Sequence, residues 1–345
     1  MNNDTKNKST ALYEVQEYVK LKNKIEKAGI LNRSYWYYLF IMLTDITVFT
    51  LSMFVIFYTQ NLWLVAIFAA VFGFFAVRMG GLMHDAGHQA IFKSEKNNDI
   101  AGFFFATLAV IAFAGWKSSH NAHHANPNQE DEDPNVDLPL LSFNLERYEA
   151  KKGLAKLLRK YQMYLYYPLI FGVGFGMRIA DLFYFKQSLK IQKLWQLEIF
   201  LLAFSVLYIA PFFLFPFVKA LIVVAVANIV TGFYFSSIFA PNHKGMYEPK
   251  KGEKLSFLKH QIITSRNIYA HPITDYVFMG LNYQIEHHLF PMCPRNKLKY
   301  ITPYVINVCK EQKLEFSKVS FFRSNYIILQ GLKEIVTQSE QLRTA

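Results

Sequence analysis

Long apolar runs divided by short polar breaks set the layout of the chain. Across residues 37–58 the only charge is Asp45, and as a helix this segment is long enough to cross about 30 Å of hydrocarbon. A second run opens at Leu62 and passes Val77, with Arg78 placed to snorkel to the interface and the span closing near residue 79. The link 59–61 leaves room only for a tight hairpin. Residues 100–114 fall short of a spanning length and read as a re-entrant or interfacial helix. Residues 161–177 are interrupted by Pro168, Gly172, Gly174 and Gly176, which predicts a segment lying along the interface. From 199 to 240 one apolar stretch is broken only by Lys219, with Pro211 and Pro216 before it, and predicts two crossings, 199–217 and 220–240.

This pattern predicts an all-α integral membrane protein: four transmembrane helices (37–58, 62–79, 199–217, 220–240), interfacial helices, and a helical cap from 80–198 and 241–345. The first 33 residues are lysine-rich, without the apolar core of a cleaved signal peptide, and read as a cytosolic arm. Four crossings put both termini on one side. Lys219 is the only Lys or Arg in the two short connecting loops, so the positive-inside rule assigns the termini and the cap to the cytosol. Trp36, Trp63 and Trp195 fall near predicted helix ends, as in an aromatic belt.

Composition agrees with a membrane class, with 52% hydrophobic, 17% aromatic and only 18% charged residues. Two cysteines, Cys293 and Cys309, cannot build a disulfide scaffold and read as buried thiols. A formal charge of +12 next to such apolar runs points to an anionic membrane surface or an acidic protein partner rather than to nucleic acid.

The histidines are informative by placement. His84 and His88 stand at i and i+4 in HDAGH, and His120, His123 and His124 at i, i+3 and i+4 in HNAHH, so on helices each set shares a face. His287 and His288 follow in QIEHH, with Gln284 three residues before His287. His243, next to Asn242, stands where the fourth crossing ends. If 100–114 does not span, all four positions lie on one side of the membrane. Helically spaced histidines in three clusters at the ends of apolar segments have no packing rationale and predict metal ligands. Eight imidazoles exceed what one ion needs, which indicates two metals, and imidazole suits iron, copper, nickel or zinc. Asp85 and Glu286 stand beside ligands, as orienting carboxylates or as solvated ones. His260 and His271 read as ordinary hydrogen-bonded residues.

With HDAGH, HNAHH and QIEHH in this order, and with Trp116, Pro127, Asn128, Asn242, His243, GLNYQIEHHLFP, Pro294 and Arg295, the chain resembles the membrane fatty acid desaturases over about residues 37–296. Gln284 at the head of the third box resembles the front-end branch, which inserts a double bond between an existing one and the carboxyl end. The resemblance implies two iron ions held by His84, His88, His120, His123, His124, His243, His287 and His288, with Gln284 as a further ligand. It implies dioxygen as co-substrate, a fatty acyl lipid or acyl-CoA substrate, and residues 34–345 as the desaturase domain. A fused cytochrome b5 domain is not expected, because the first histidine is His84 and the last His288. The donor is then a separate ferredoxin, or a cytochrome b5 with its reductase, and the chain is more like bacterial members of an inner membrane than like enzymes of the endoplasmic reticulum. An acyl or sphingolipid hydroxylase of the same chemistry is the alternative. A histidine-lined metal transporter fits less well, because its ligands belong near the bilayer midplane.

Three further features carry expectations of their own. Residues 147–160 combine Leu154, Leu157 and Leu158 with a ring of lysines and read as an interfacial helix on anionic lipid. The acidic run Glu130 to Asp133 with Asp137 reads as a solvated loop whose closeness to the second box leaves a supporting or gating role open. Of the polar groups Asp45, Glu198 and Asn228 in apolar segments, Asn228 is expected to face the bundle interior.

Overall fold

The structure is a computed structural model that describes residues 3–136, 138–188 and 194–344; Asp137 and the side chains of 3–14, 182–195 and 198, hence of Trp195 and Glu198, lie outside the described residues. In chain order the helices are α1 (Asn3–Lys27), α2 (Tyr35–Tyr58), α3 (Leu62–Gly87), α4 (Glu95–Ala109), α5 (Phe113–Ala125), α6 (Leu145–Ala150), α7 (Gly153–Leu158) and α8 (Gln162–Ser188). They continue with α9 (Leu194–Phe204), a π-helical turn (Ser205–Ile209), α10 (Pro211–Leu214), α11 (Phe217–His243), α12 (Phe257–Ile263), α13 (Pro272–Val277), α14 (Gln284–Leu289), α15 (Leu298–Gln312) and α16 (Phe321–Thr344). Among the described residues, strand is limited to one parallel pairing of Asn267–Ile268 with Lys318–Val319.

Among the described residues, α2, α3 and α11 are long and apolar enough to cross a membrane, and α4 with α5 makes a further candidate bent by 106°. The bend falls at 110–112, inside the segment expected not to span. The predicted third span, 199–217, is not one helix: it is divided into α9, the π turn and α10, and Pro211 and Pro216 interrupt the hydrogen-bond ladder. The chain divides into two compact units, Met1–Asn32 with Asn121–Tyr166 and Ile238–Ala345, and Arg33–His120 with Tyr167–Ser237. This partition differs from arm, bundle and cap. The helix of the N-terminal arm groups with the third histidine box, while residues 80–120 group with the apolar helices.

In the second unit, α2 and α3 form the hairpin expected from their short link, and Asn61 caps α3 by accepting from the amides of Trp63 and Leu64. Leu39, Phe40, Leu43 and Phe54 of α2 are exposed, while Tyr38, Asp45 and Ser52 are buried. Apolar outside with polar groups inside suits a helix solvated by lipid. Arg78 does not snorkel: it is buried and its Nε donates to Asp45 Oδ1 at 3.0 Å. Lys219 is not in a loop either. It sits in the first turn of α11, and its Nζ donates to the carbonyls of Thr59 (2.8 Å) and Phe57 (3.3 Å) at the end of α2. The glycines of 161–177 do not break α8. A Cβ on Gly174 would come within 2.3 Å of the Asn228 carbonyl, and one on Gly232 within 2.6 Å of the Gly174 nitrogen, so these positions let α8 and α11 touch backbone to backbone.

In the first unit, Leu21 and Ile25 of α1 are buried in one apolar core with Leu258 and Ile262 of α12, Ile285 and Leu289 of α14, and Ile301 and Val305 of α15. Tyr18 donates its hydroxyl to the Leu289 carbonyl at 3.0 Å and stacks on Phe290. The arm is therefore a packed helix, fixed through its apolar stripe. Residues 147–160 form α6, α7 and a short 3-10 turn rather than one helix, with Leu154 and Leu157 exposed.

Candidate functional site

In the second unit the last turns of α3 carry His84 and His88, and α5 carries His120. Gly87 of HDAGH has a steric role, since a Cβ there would meet the Trp116 ring at 2.6 Å. Trp116 stacks on His120 with centroids 4.5 Å apart and meets His84 edge-on at 5.7 Å. The His84 ring lies 4.7 Å from His88 and 4.9 Å from His120, and the Nε2 atoms of His88 and His120 are 2.9 Å apart. Asp85 is buried rather than solvated. Its Oδ2 accepts from the Tyr38 hydroxyl at 2.7 Å and its Oδ1 lies 3.3 Å from His84 Nδ1.

In the first unit, α5 supplies His123 and His124, the end of α11 supplies His243, and α14 supplies His287 and His288. Ligand atoms of His123, His243 and His288 all lie within 4.8 Å of one another, and His124 and His287 approach to 3.2 Å between Nε2 atoms. The outer nitrogen of each of the first three rings faces an oxygen: His123 Nδ1 at 2.8 Å from Asp133 Oδ2, His243 Nδ1 at 3.1 Å from the Thr264 carbonyl, His288 Nδ1 at 2.9 Å from Gln261 Oε1. The Gln261 amide is oriented by its own nitrogen, which donates to the His124 carbonyl at 3.1 Å.

These acceptors fix the tautomers. Carbonyl and carboxylate oxygens only accept, so each Nδ1 carries a proton, and in the neutral ring the lone pair is then at Nε2. The Nε2 atoms of His243 and His288 then face each other 3.1 Å apart through their lone pairs, and a cation would satisfy both where the Gln284 amide, 2.9 Å from His243 Nε2, can satisfy only one. Asp133 adds negative charge. Burial alone would raise its carboxyl, but His123 and the amides of Asn135 and Asn128 hold it down at about 2, so it is ionised at neutral pH. The donor set fits a metal bound through imidazole nitrogen.

Gln284 lies beside this set. Its Oε1 accepts from Asn242 at 3.0 Å, and its Nε2 is 2.9 Å from His243 Nε2 and donates to that lone pair. Asn267 brackets α14, donating to Glu286 Oε2 at 2.7 Å and accepting from the Ile285 amide at 3.0 Å, so Glu286 is buried, not solvated, and burial raises its carboxyl. The acidic loop is also not simply solvated: Asp133 is buried, Lys251 pairs with Asp131 at 2.7 Å, and Asn128, at a φ of 58°, donates to the carbonyls of His243, Tyr247 and Thr264. His260 and His271 behave as ordinary residues: His260 donates to the Pro127 carbonyl at 2.9 Å, and His271 caps α13 by accepting from the Ile273 amide. Thr264 and Gln261 carry no sequence signal of their own. Asp133 was legible only as part of an acidic run, and Asn128 only through the resemblance.

The family model described as "Fatty acid desaturase" matches residues 61–320. The chain is 30% identical over 318 residues to the acyl-lipid (9-3)-desaturase of Physcomitrium patens, covering 87% of this chain and 58% of that protein. It is 28% identical over 342 residues to the Delta(6)-fatty-acid desaturase of Caenorhabditis elegans, covering 93% and 75%. It is 27% identical over 345 residues to the acyl-lipid (9-3)-desaturase of Borago officinalis, covering 95% and 76%. It thus spans less than two thirds of the first of these relatives and about three quarters of the other two.

Proposed function

The chain belongs to the fatty acid desaturase family, and from that premise we propose that it introduces a cis double bond into a fatty acyl chain, between an existing double bond and the carboxyl end. One hydrogen leaves each of two adjacent carbons, and dioxygen, taking those two hydrogens together with two electrons and two protons, is reduced to two waters. The observation that carries the reading is the convergence of imidazole Nε2 lone pairs, each set by an oxygen on the opposite ring nitrogen. Two iron ions held by His84, His88, His120, His123, His124, His243, His287 and His288 would supply the redox chemistry that unactivated C–H bonds demand. The chain's own part is to hold those rings neutral and aimed, Asp133, Thr264 and Gln261 by accepting their Nδ1 protons.

Gln284 donates to the His243 Nε2 lone pair that a metal would take, so metal binding would displace its N–H, and ligation through its own oxygen requires the amide to turn from Asn242. Electrons come from a separate acidic donor, a ferredoxin or a cytochrome b5 with its reductase, drawn to the basic chain. The termini and the metal face the cytosol, in a bacterial inner membrane. The test is expression in a host supplied with linoleate, with gas chromatography and mass spectrometry of the products. A new double bond on the carboxyl side of the existing one supports the reading. A bond on the methyl side removes the front-end assignment, and a hydroxylated product replaces desaturation by its alternative.

A further inference from the structure

Where α11 ends, its last carbonyls lose the amides of a following turn. The Ala240 carbonyl still accepts from the Lys244 amide at 2.9 Å, and the His243 carbonyl accepts from the Met246 amide at 3.1 Å across Gly245, whose φ of 76° turns the chain out of the helix. The carbonyls of Pro241, Asn242 and Lys244 all go to one residue distant in sequence. Arg266 donates its backbone N–H to Asn242 at 2.8 Å, its Nε to Pro241 at 2.8 Å and its Nη2 to Lys244 at 2.7 Å. Arg266 is only 1% exposed. Burial lowers its pKa to about 10, which leaves it charged at neutral pH against the negative end of the helix.

Arg266 belongs to a strip of four consecutive buried polar residues, 264–267, that follows α12. The strip faces both elements that carry ligands at this end of the first unit. The Thr264 carbonyl accepts from His243 Nδ1, Arg266 holds the turn on which His243 stands, and Asn267 brackets α14 with His287 and His288. An apolar side chain at 266 would avoid the cost of burying a charge, but it would leave two carbonyls one helical turn apart without donors. A lysine ammonium is a point charge that serves one of them, whereas the planar guanidinium fork serves both. We propose that Arg266 is a positioning residue for His243: by closing the last turn of α11 onto the strip it brings His243 Nδ1 to the Thr264 carbonyl, and so sets the direction of the Nε2 lone pair and the tautomer that exposes it. Without the guanidinium the turn opens to satisfy its carbonyls, and the ring is released from Thr264. The proposal rests on the reading of His243 as a metal ligand, on which Arg266 acts only through the backbone.

The deciding experiment titrates the whole, metal-free protein in lipid nanodiscs with Co²⁺, read by ligand-field absorption, beside thermal unfolding of the same samples. Two cobalt equivalents are expected of the wild type. Arg266→Met is expected to weaken one of them by roughly 10–100-fold and to leave the other in place. Arg266→Lys, which keeps the charge and one hydrogen bond, is expected to fall between Arg266→Met and wild type, and it decides the matter if the methionine variant does not fold. Arg159→Met is the control for an arginine that only stabilises: Arg159 is also buried in the first unit, but it donates to the Tyr148 carbonyl and to Glu149. That variant is expected to melt at a lower temperature with cobalt affinity unchanged. Wild-type affinity in the Arg266 variants overturns the proposal, and so does an equal loss at both equivalents or a loss matched by Arg159→Met. A wild-type protein that takes up no cobalt removes the metal reading of His243 and the positioning role with it. Because the readout is binding rather than turnover, a protein that binds cobalt as expected but makes no double bond leaves the role of Arg266 standing and removes the enzymatic reading instead.

Discussion

Around His123, His243 and His288 the outer ring nitrogens are fixed by oxygens from Asp133, Thr264 and Gln261, whereas in the second unit Trp116 stacks on His120 and meets His84 edge-on, so an indole helps to place those rings. A hydrogen bond to Nδ1 does two things at once, setting the orientation and choosing which nitrogen offers its lone pair. Stacking sets only orientation. The first set is therefore tuned in basicity as well as placed, and in the second Trp116 contributes placement while Asp85 Oδ1 stands 3.3 Å from the Nδ1 of His84.

That contrast can be broken at several points. His243→Ala or His288→Ala is expected to remove bound iron and product together, as read by elemental analysis beside product analysis; a variant with full iron and wild-type turnover would make the set structural. Asp133→Asn keeps shape but removes the charge, and metal affinity is expected to fall about 10–100-fold in a chelator titration. Trp116→Leu takes away a stack worth about 0.5–1.5 kcal/mol, a loss of roughly two- to tenfold in the same titration. If Trp116→Leu costs as much as Asp133→Asn, packing and hydrogen bonding do equal work and the contrast fails. The smallest effect concerns His260, whose pKa burial holds below the usual value. The unfolded chain takes up that proton near pH 6.5 and the folded chain does not, so this contribution is complete above about 6.5 and is lost as pH falls. His260→Gln, which keeps a donor for the Pro127 carbonyl, is expected to flatten the decline in melting temperature between neutral and mildly acidic pH.

The apolar helices α2, α3 and α11 and the three histidine boxes were legible because their signals are local: an unbroken run of hydropathy, or two rings one turn apart. What was illegible depends on partners distant in sequence. Arg78 looks like a snorkelling end residue until Asp45, on the preceding helix, faces it. Gly172, Gly174 and Gly176 read as breakers, and at Gly174 only the approach of Asn228 turns the missing side chain into a contact. Gln261 gives no hint of its link between His124 and His288, since both ends of that link are set by the fold of the first unit. Asp133 could be suspected from its neighbourhood, but among four consecutive residues three of which are acidic neighbours, nothing local distinguishes it.

The packing of α1 beneath the third box has a consequence for biosynthesis. Leu21 and Ile25 leave the ribosome long before Leu258, Ile285 and Ile301, the residues that cover them, so the apolar stripe of α1 stays uncovered while the intervening helices are made. The first unit closes late, around a scaffold whose earliest and latest segments must find each other. Its histidines gather only at that point, which makes assembly of the first unit's metal ligands one of the last events in the maturation of the chain.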